Sequence, residues 1–387
     1  MKKVAIGVIS ALAVTSFYSH AALNLTLDNE VVGDGDITSL LSNAPDNVQD
    51  TDMVDASDNT ITIEQNSTGI TNGSAVKVQL ADNDNSLIDI YQSNDATTGN
   101  RPGPDGENRA FVHFDSPSSS LSRHDNNDAE IAQYGDRHEA YIRVAGGRAT
   151  DNEFTIKQDG DAHDASVFVL GGGDDNEVDI DLEAFNNNVT VTLSGAGADD
   201  NDIDVKATDG SDRNEATVFV SGADNDIEVE FDDRSDDNQV DITASGNDND
   251  VDVKIDDRSD DNQVLANVSG DDNDIDVDID DDSYDNSVYV NVSGNDNDAE
   301  VDIDDWSDRN MVSIMQSGSY NDSRVRIDDR SDDNIVETTQ TGNDSWSDVE
   351  LDWGSDYNQV YVTQNTNDHS DVYGWNADYN VVTVTQN

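Results

Sequence analysis

The sequence predicts an all-β fold, an amyloid-like β-solenoid of stacked strand-turn-strand units of about 24 residues each. Three observations lead there. Asparagine recurs at a fixed interval, each interval holds two runs of strict apolar/polar alternation, and turn-forming residues punctuate those runs at constant places.

The interval is read from Asn214, Asn238, Asn262, Asn286, Asn310, Asn334 and Asn358, which follow one another in equal steps; only the last step, to Asn380, is shorter. A sustained period of this length marks a stacked array. Within a unit the pattern Asn-x-Φ-x-Φ-x-Φ, with Φ usually apolar, occurs twice. Asn262, Val264, Ala266 and Val268 form one copy, and Asn273, Ile275, Val277 and Ile279 form the next. Alternation of β-branched and polar residues is the mark of a half-buried strand, and helical spacing is absent.

Between the runs lie two kinds of turn. The first is Ser-Gly-x-x-Asn, as at Ser269 and Gly270, where glycine supplies a positive φ. The second is Asp-Asp-x-Ser-Asp-x-Asn, whose serine keeps its place at Ser235, Ser259, Ser283, Ser307, Ser331 and Ser355. One such unit cannot bury its apolar stripe alone. Stacked at ~4.8 Å per rung, every backbone donor and acceptor finds a partner above or below, and equivalent asparagines form amide ladders.

The chain divides by pattern into four stretches. Residues 1–21 read as a secretory signal: Lys2 and Lys3, an apolar run over 4–14 too short to span a bilayer, and a small-x-small site at Ser19 and Ala21. Residues 22–57 carry no clean pattern and read as disordered or export-related. Residues 58–126 hold degenerate repeats around Asn59-Ile61-Ile63-Gln65 and Ser86-Ile88-Ile90-Gln92, broken by loops over 93–107 and 116–122. Residues 127–387 form the solenoid proper, with a half-unit phase slip over 171–201. No segment after the signal is apolar enough to cross a membrane.

The net charge is −67, from 86 acidic and 19 basic residues among 387. Phosphate-bearing nucleic acid is thereby excluded as a natural partner, and cations and basic surfaces are favoured. Cysteine is absent, so neither disulfides nor thiolate metal sites contribute. No nucleophile elbow or other catalytic constellation occurs, which predicts a non-enzyme without a cofactor. His138 and His163 take the second-asparagine place in two consecutive repeats and read as substituted turn positions. Gly171, Gly172 and Gly173 precede no helix or lysine and do not form a phosphate cradle.

The spacing resembles that of the curlin family, the subunits of curli-type fibres. The stretch Asn310, Gln316, Gly318, Asn321, Ser323 carries the resemblance most fully. Asn334, Gln340 and Gly342 follow it, then Asn358 with Gln364 and Asn380 with Gln386. Gln133 with Gly135 and Gln158 with Gly160 keep the same offsets upstream. The chain departs from the family in placing asparagine for the first serine, and Ile255, Ile279, Ile303, Ile327 and Leu351 for the second glutamine. The resemblance implies an extracellular, self-polymerising fibre subunit of adhesion and biofilm matrix. It implies export through an outer-membrane channel and partnership with a related nucleator or major subunit.

Outward positions of the second run are mostly acidic, among them Asp252, Asp276 and Glu300. Stacked about 5 Å apart, two such charges repel by roughly 0.8 kcal/mol in water-like dielectric. Relief by salt, Ca²⁺ or protonation is expected to promote assembly. Asp256, Asp257 and Asp260, with Asp328, Asp329 and Asp332, offer oxygens for weak Ca²⁺ binding. Solvated acidic turns account for the same residues and are favoured. A second functional reading follows from the acids: a monomeric, cation-binding acidic solenoid of the cell surface or matrix. The late aromatics, including Trp306, Trp346, Trp353, Trp375, Tyr357 and Tyr379, read equally as a docking end and as ordinary surface residues.

Overall fold

The computed structural model describes residues 48–54, 60–67, 72–81, 83–84, 87–94, 106–115, 124–125, 127–133, 138–145, 149–183, 185–195, 197–208 and 210–386. The expected signal segment 1–21, most of 22–57, the loop centre 95–105, the break 116–122, and Asn59, Ser86 and Gly135 lie outside the described residues. The protein is an all-β solenoid with turns recurring at the spacing of the sequence repeat. Strands are the only regular elements among the described residues. By backbone proximity the chain forms two units, Met1–Leu182 with Thr192–Asp199, and Glu183–Val191 with Asp200–Asn387.

In the first unit the strands Val48–Val54, Asn72–Ala81, Gly106–Asp115, Glu139–Ala145 and Asp164–Leu170 pair side by side, all parallel. A second, three-stranded sheet joins Thr60–Ser67, Leu87–Asn94 and Ala129–Ile131. Ile61 lies on Ile88, Ile63 on Ile90 and Gln65 on Gln92, as the degenerate repeats require. Two features were not legible in the sequence. Residues 48–54, which show no clean alternation, form a strand, and the strands Leu87–Asn94 and Gly106–Asp115 reach into the span read as a loop.

In the second unit eight parallel strands stack in register: Glu215–Ser221, Gln239–Ser245, Gln263–Ser269, Ser287–Asn295, Met311–Ser319, Ile335–Gln340, Gln359–Gln364 and Val381–Thr385. Partners lie one full repeat apart except at the shorter last step, where Gln359 meets Val381. Val, Ile and Ala at alternate positions are fully buried, among them Val264, Ala266, Val290 and Ile314. Each side chain therefore packs on its own equivalent in the next rung, and β-branched residues suit that pleated, half-buried surface.

The second run of each unit departs from the regular strand that its alternation predicts. Val251, Val253 and Ile255 are buried as expected, but the backbone over 250–256 carries left-handed φ angles at Asp252 and Lys254. The outward aspartates favour this at their own positions. Aspartate tolerates the left-handed region better than most residues and bonds locally to the chain. Here the Oδ1 of Asp252 accepts the N–H of Val253 at 2.9 Å, and Asp276 serves Val277 likewise at 2.8 Å. Inter-rung bonds persist between these kinks: Asp250 N–H donates to the Asn273 carbonyl, and Asp278 N–H to that of Val253.

The Ser-Gly turn fixes how closely rungs approach. Gly222, Gly246, Gly270 and Gly294 hold φ between +122° and +157°, and a Cβ on any of them would overlap the carbonyl of the glycine one rung on. Gly270→Ala is expected to cost roughly 2–4 kcal/mol in guanidinium unfolding. Gly197, which has open space around it and no positive φ, should accept alanine within about 0.5 kcal/mol. Equal effects at the two positions would contradict the close stacking of these turns.

Candidate functional site

The predicted ladder residues come together as continuous columns. In the first column the Oδ1 of Asn214 accepts both the backbone N–H (2.9 Å) and the Nδ2–H (3.1 Å) of Asn238. Asn262, Asn286, Asn310, Asn334, Asn358 and Asn380 each donate their backbone N–H to the Oδ1 of the asparagine before. Their Nδ2–H groups also reach forward, as from Asn262 to the Ser283 carbonyl at 2.8 Å. A second column, Asn201, Asn225, Asn249, Asn273, Asn297 and Asn321, links Nδ2–H to Oδ1 at 2.8–3.0 Å. Most of these amides are buried, and their desolvation is offset by such bonding.

Gln316, Gln340, Gln364 and Gln386 form a third column, each Nε2–H donating to the next Oε1 at 3.0 Å. Gly318 and Gly342 sit beside it, their carbonyls accepting from Asn297 and Asn321. The turn serines form a further column, whose task their spacing does not reveal. From Ser235 to Ser331 each serine Oγ accepts the N–H of the next serine in its column, as Ser235 does from Ser259 at 3.1 Å, and donates to an aspartate carbonyl one rung on, as Ser283 does to Asp304 at 2.6 Å; Ser355, the last, accepts from Ala377 and donates to the Leu351 carbonyl.

In the first unit glutamines ladder on the other half-repeat: Gln92 donates to Gln133 and Gln133 to Gln158. There His138 and His163 directly precede the long strands Glu139–Ala145 and Asp164–Leu170, as Asn214 precedes Glu215–Ser221. They therefore occupy the first-asparagine place rather than the second, which is how the half-unit phase slip resolves. The rings stack 5.2 Å apart, and His138 Nδ1 accepts the N–H of His163 at 3.4 Å, doing the work of an asparagine Oδ1.

The acidic turns separate into two kinds. Asp260 and Asp332 do not join Asp256, Asp257, Asp328 and Asp329. Their Oδ1 atoms accept backbone N–H from Asp236 (2.8 Å) and Asp308 (3.1 Å), so they act as rung-to-rung acceptors. Asp256 and Asp257 instead converge with Asp281, their carboxylate oxygens within 4.8 Å. Asp232, Asp233 and Asp257 form a like group, as do Asp280, Asp304 and Asp305. Asp328 and Asp329 belong to no such group among the described residues.

Charge relief is visible in three forms. Arg213 and Arg309 bridge the next rung, at 2.7 Å to Asp237 and 3.0 Å to Asp333, and hold those carboxyls below their ordinary range. Arg326 spans Asp302, Asp304 and Asp328. Where burial and neighbouring acids outweigh the nearest cation, protonation becomes easier. Burial, helped by Asp280, Asp302 and Asp276, pushes Asp278 up to about 7. Burial also raises Asp298 and Asp302 to about 6, the neighbouring acids adding to it and Arg326 opposing it at Asp302.

The late aromatics form stacked pairs: Trp346 with His369 at 4.1 Å and Tyr357 with Tyr379 at 5.0 Å, while Arg330 lies over Trp306. No helix among the described residues is long and apolar enough to cross a membrane. Compared with protein-family profiles and with curated proteins, the chain matches none.

The columns can be tested one amide at a time. Asn262→Ala leaves the Asn286 N–H and the Ser283 carbonyl without their partner and is expected to cost roughly 2–4 kcal/mol in chemical denaturation. Asn262→Asp keeps the acceptor and loses the donor, so it should cost as much at pH 7 and less at pH 4, where the added carboxyl is neutral. The raised carboxyls at Asp278, Asp298 and Asp302 bind protons in the folded state where unfolded carboxyls near 4 have released them. Stability should thus fall as pH rises through about 6–7 and recover as pH drops toward 4. Asp278→Asn should raise stability at pH 8 by ~1 kcal/mol, allowing for solvent screening, and flatten the profile of melting temperature against pH at low salt. A profile identical to the parent's would remove Asp278 as the cause.

Proposed function

We propose that the chain is an extracellular structural subunit of curli-like fibres, elongating by end-on addition of rungs and serving adhesion and biofilm matrix. One observation carries the reading. The strand Val381–Thr385 pairs on one side only, and its inward Val382 and Val384 are half open, whereas Val360 and Val362 one rung earlier are 1% exposed. On that rung Asn380 carries the Oδ1 acceptor, and Gln386 the Nε2–H donor, through which the asparagine and glutamine columns pass from rung to rung further in. Such a surface is complementary to a further rung of like sequence, which is the geometry of β-augmentation and of cross-β stacking.

The aromatic stacks add to it. Tyr379 and Trp375 are among the most exposed large side chains, and stacking by an incoming rung would cover them. The acidic columns of the middle rungs act as gatekeepers, slowing addition until salt, divalent cations or protons neutralise them. A nucleating relative and an outer-membrane channel are the partners this reading requires.

Electron microscopy and fibre diffraction of the purified chain test it. Fibres with a ~4.8 Å meridional repeat are expected, forming faster at pH 5 or in raised salt. Val382→Lys with Val384→Lys, on the half-open rung, should leave the circular dichroism unchanged and abolish elongation. Discrete particles from the unaltered chain under all these conditions would favour the monomeric cation-binding solenoid instead.

A further inference from the structure

The two flanks of the second unit differ sharply in charge. On the run over 226–326, three outward positions in each of five rungs are all charged, twelve of the fifteen acidic, as at Asp250, Asp274 and Asp298. On the strand side, three outward positions in each of eight strands carry only Glu215, Asp241 and Glu337 as charges. The rest are Thr, Ser, Asn, Gln and apolar residues. Phe219, Met311 and Met315 stand 37%, 50% and 39% exposed there. A chain of net charge −67 has thus kept one sheet face almost free of charge.

We propose that this face pairs laterally with the same face of a second copy. Three considerations select that occupant. The acidic flank forbids close approach of another copy on its side, since like charges in facing columns repel at every rung. The strand-side face, with three carboxylates over eight rungs, carries far less of that penalty and is self-complementary, as a two-fold, isologous contact demands. Its size is also sufficient. Eight strands at ~4.8 Å and six to seven residues at ~3.3 Å give roughly 800 Å² per copy, within the ~600–1,000 Å² of a standard specific interface. Flat sheets of Thr, Asn, Gln and Met at that spacing interdigitate dryly with sheets about 10 Å away.

Lateral pairing is independent of end-on addition, because its face runs along the stack rather than across its end. The Val382→Lys, Val384→Lys chain therefore serves as the background, with axial growth suppressed. In that background, Thr243→Asp, Asn291→Asp and Thr339→Asp place three acids on every second rung of the uncharged face. The matched control, Asn247→Asp, Asn295→Asp and Asn343→Asp, adds the same charge at the same spacing in the Ser-Gly turns. There Asp271 already occupies the same column and accepts from Asn247.

Sedimentation equilibrium of the full chain should show a dimer. The face variant should weaken it at least tenfold, and the control should leave it unchanged, with identical circular dichroism in all three. In fibres of the unaltered end, the face variant should give filaments one solenoid wide where the parent gives two. A monomeric background chain, equal weakening by both variants, or a face variant that still pairs would each overturn the proposal. So would binding of an uncharged polysaccharide by single copies through this face.

Discussion

Every feature of the second unit depends on one constraint: each rung lies parallel and in register on the next, so each side chain meets its own equivalent one repeat away. The constraint rewards residues that bind their own kind. Asparagine and glutamine do so because an amide both donates and accepts, and a column of them satisfies itself with one orientation throughout, as from Asn214 to Asn380 and from Gln316 to Gln386. Serine does so in the turns, taking an N–H from one neighbour and giving its O–H to another. Valine and isoleucine do so by shape.

The same constraint penalises charge, yet the chain is strongly acidic. The conflict is answered locally rather than by neutrality. Aspartates at 236, 260, 308 and 332 turn toward backbone N–H groups of the preceding rung and accept from them. Others cap the following N–H and bend the run into left-handed kinks. A few arginines each tie together the acids of two adjacent rungs. Around Asp278, Asp298 and Asp302 burial and neighbouring acids still raise the carboxyls, at Asp302 despite the Arg326 beside it. The acids are thus woven into the backbone bonding, and outward charge gathers on the second run while the strand face carries little.

Much of this was legible beforehand because the period is written in single residue types. The ladder asparagines, the Gln column and the turn glycines were found by spacing, and they meet as spacing requires. The calcium grouping was less legible. Asp256, Asp257 and Asp260 are close in sequence, but a turn sends Asp260 to the chain of the preceding rung and leaves Asp281 as the neighbour of the other two. The second run read as a strand because alternation reports burial, and burial alternates there even though the backbone does not stay extended. The strand over 48–54 escaped notice because its pairing with Asn72–Ala81 rests on backbone bonds that leave no periodic mark.

The sequence by itself determined the period, the inward residues and the columns, since a repeat with two alternating halves admits one economical way to bury its apolar stripe. Tertiary structure alone decided which half-repeat became a true strand. It also decided where each carboxylate turns and that the histidines take the first-asparagine place. Those outcomes depend on contacts between rungs and on local φ angles, and neither is encoded in the order of residues within a single unit.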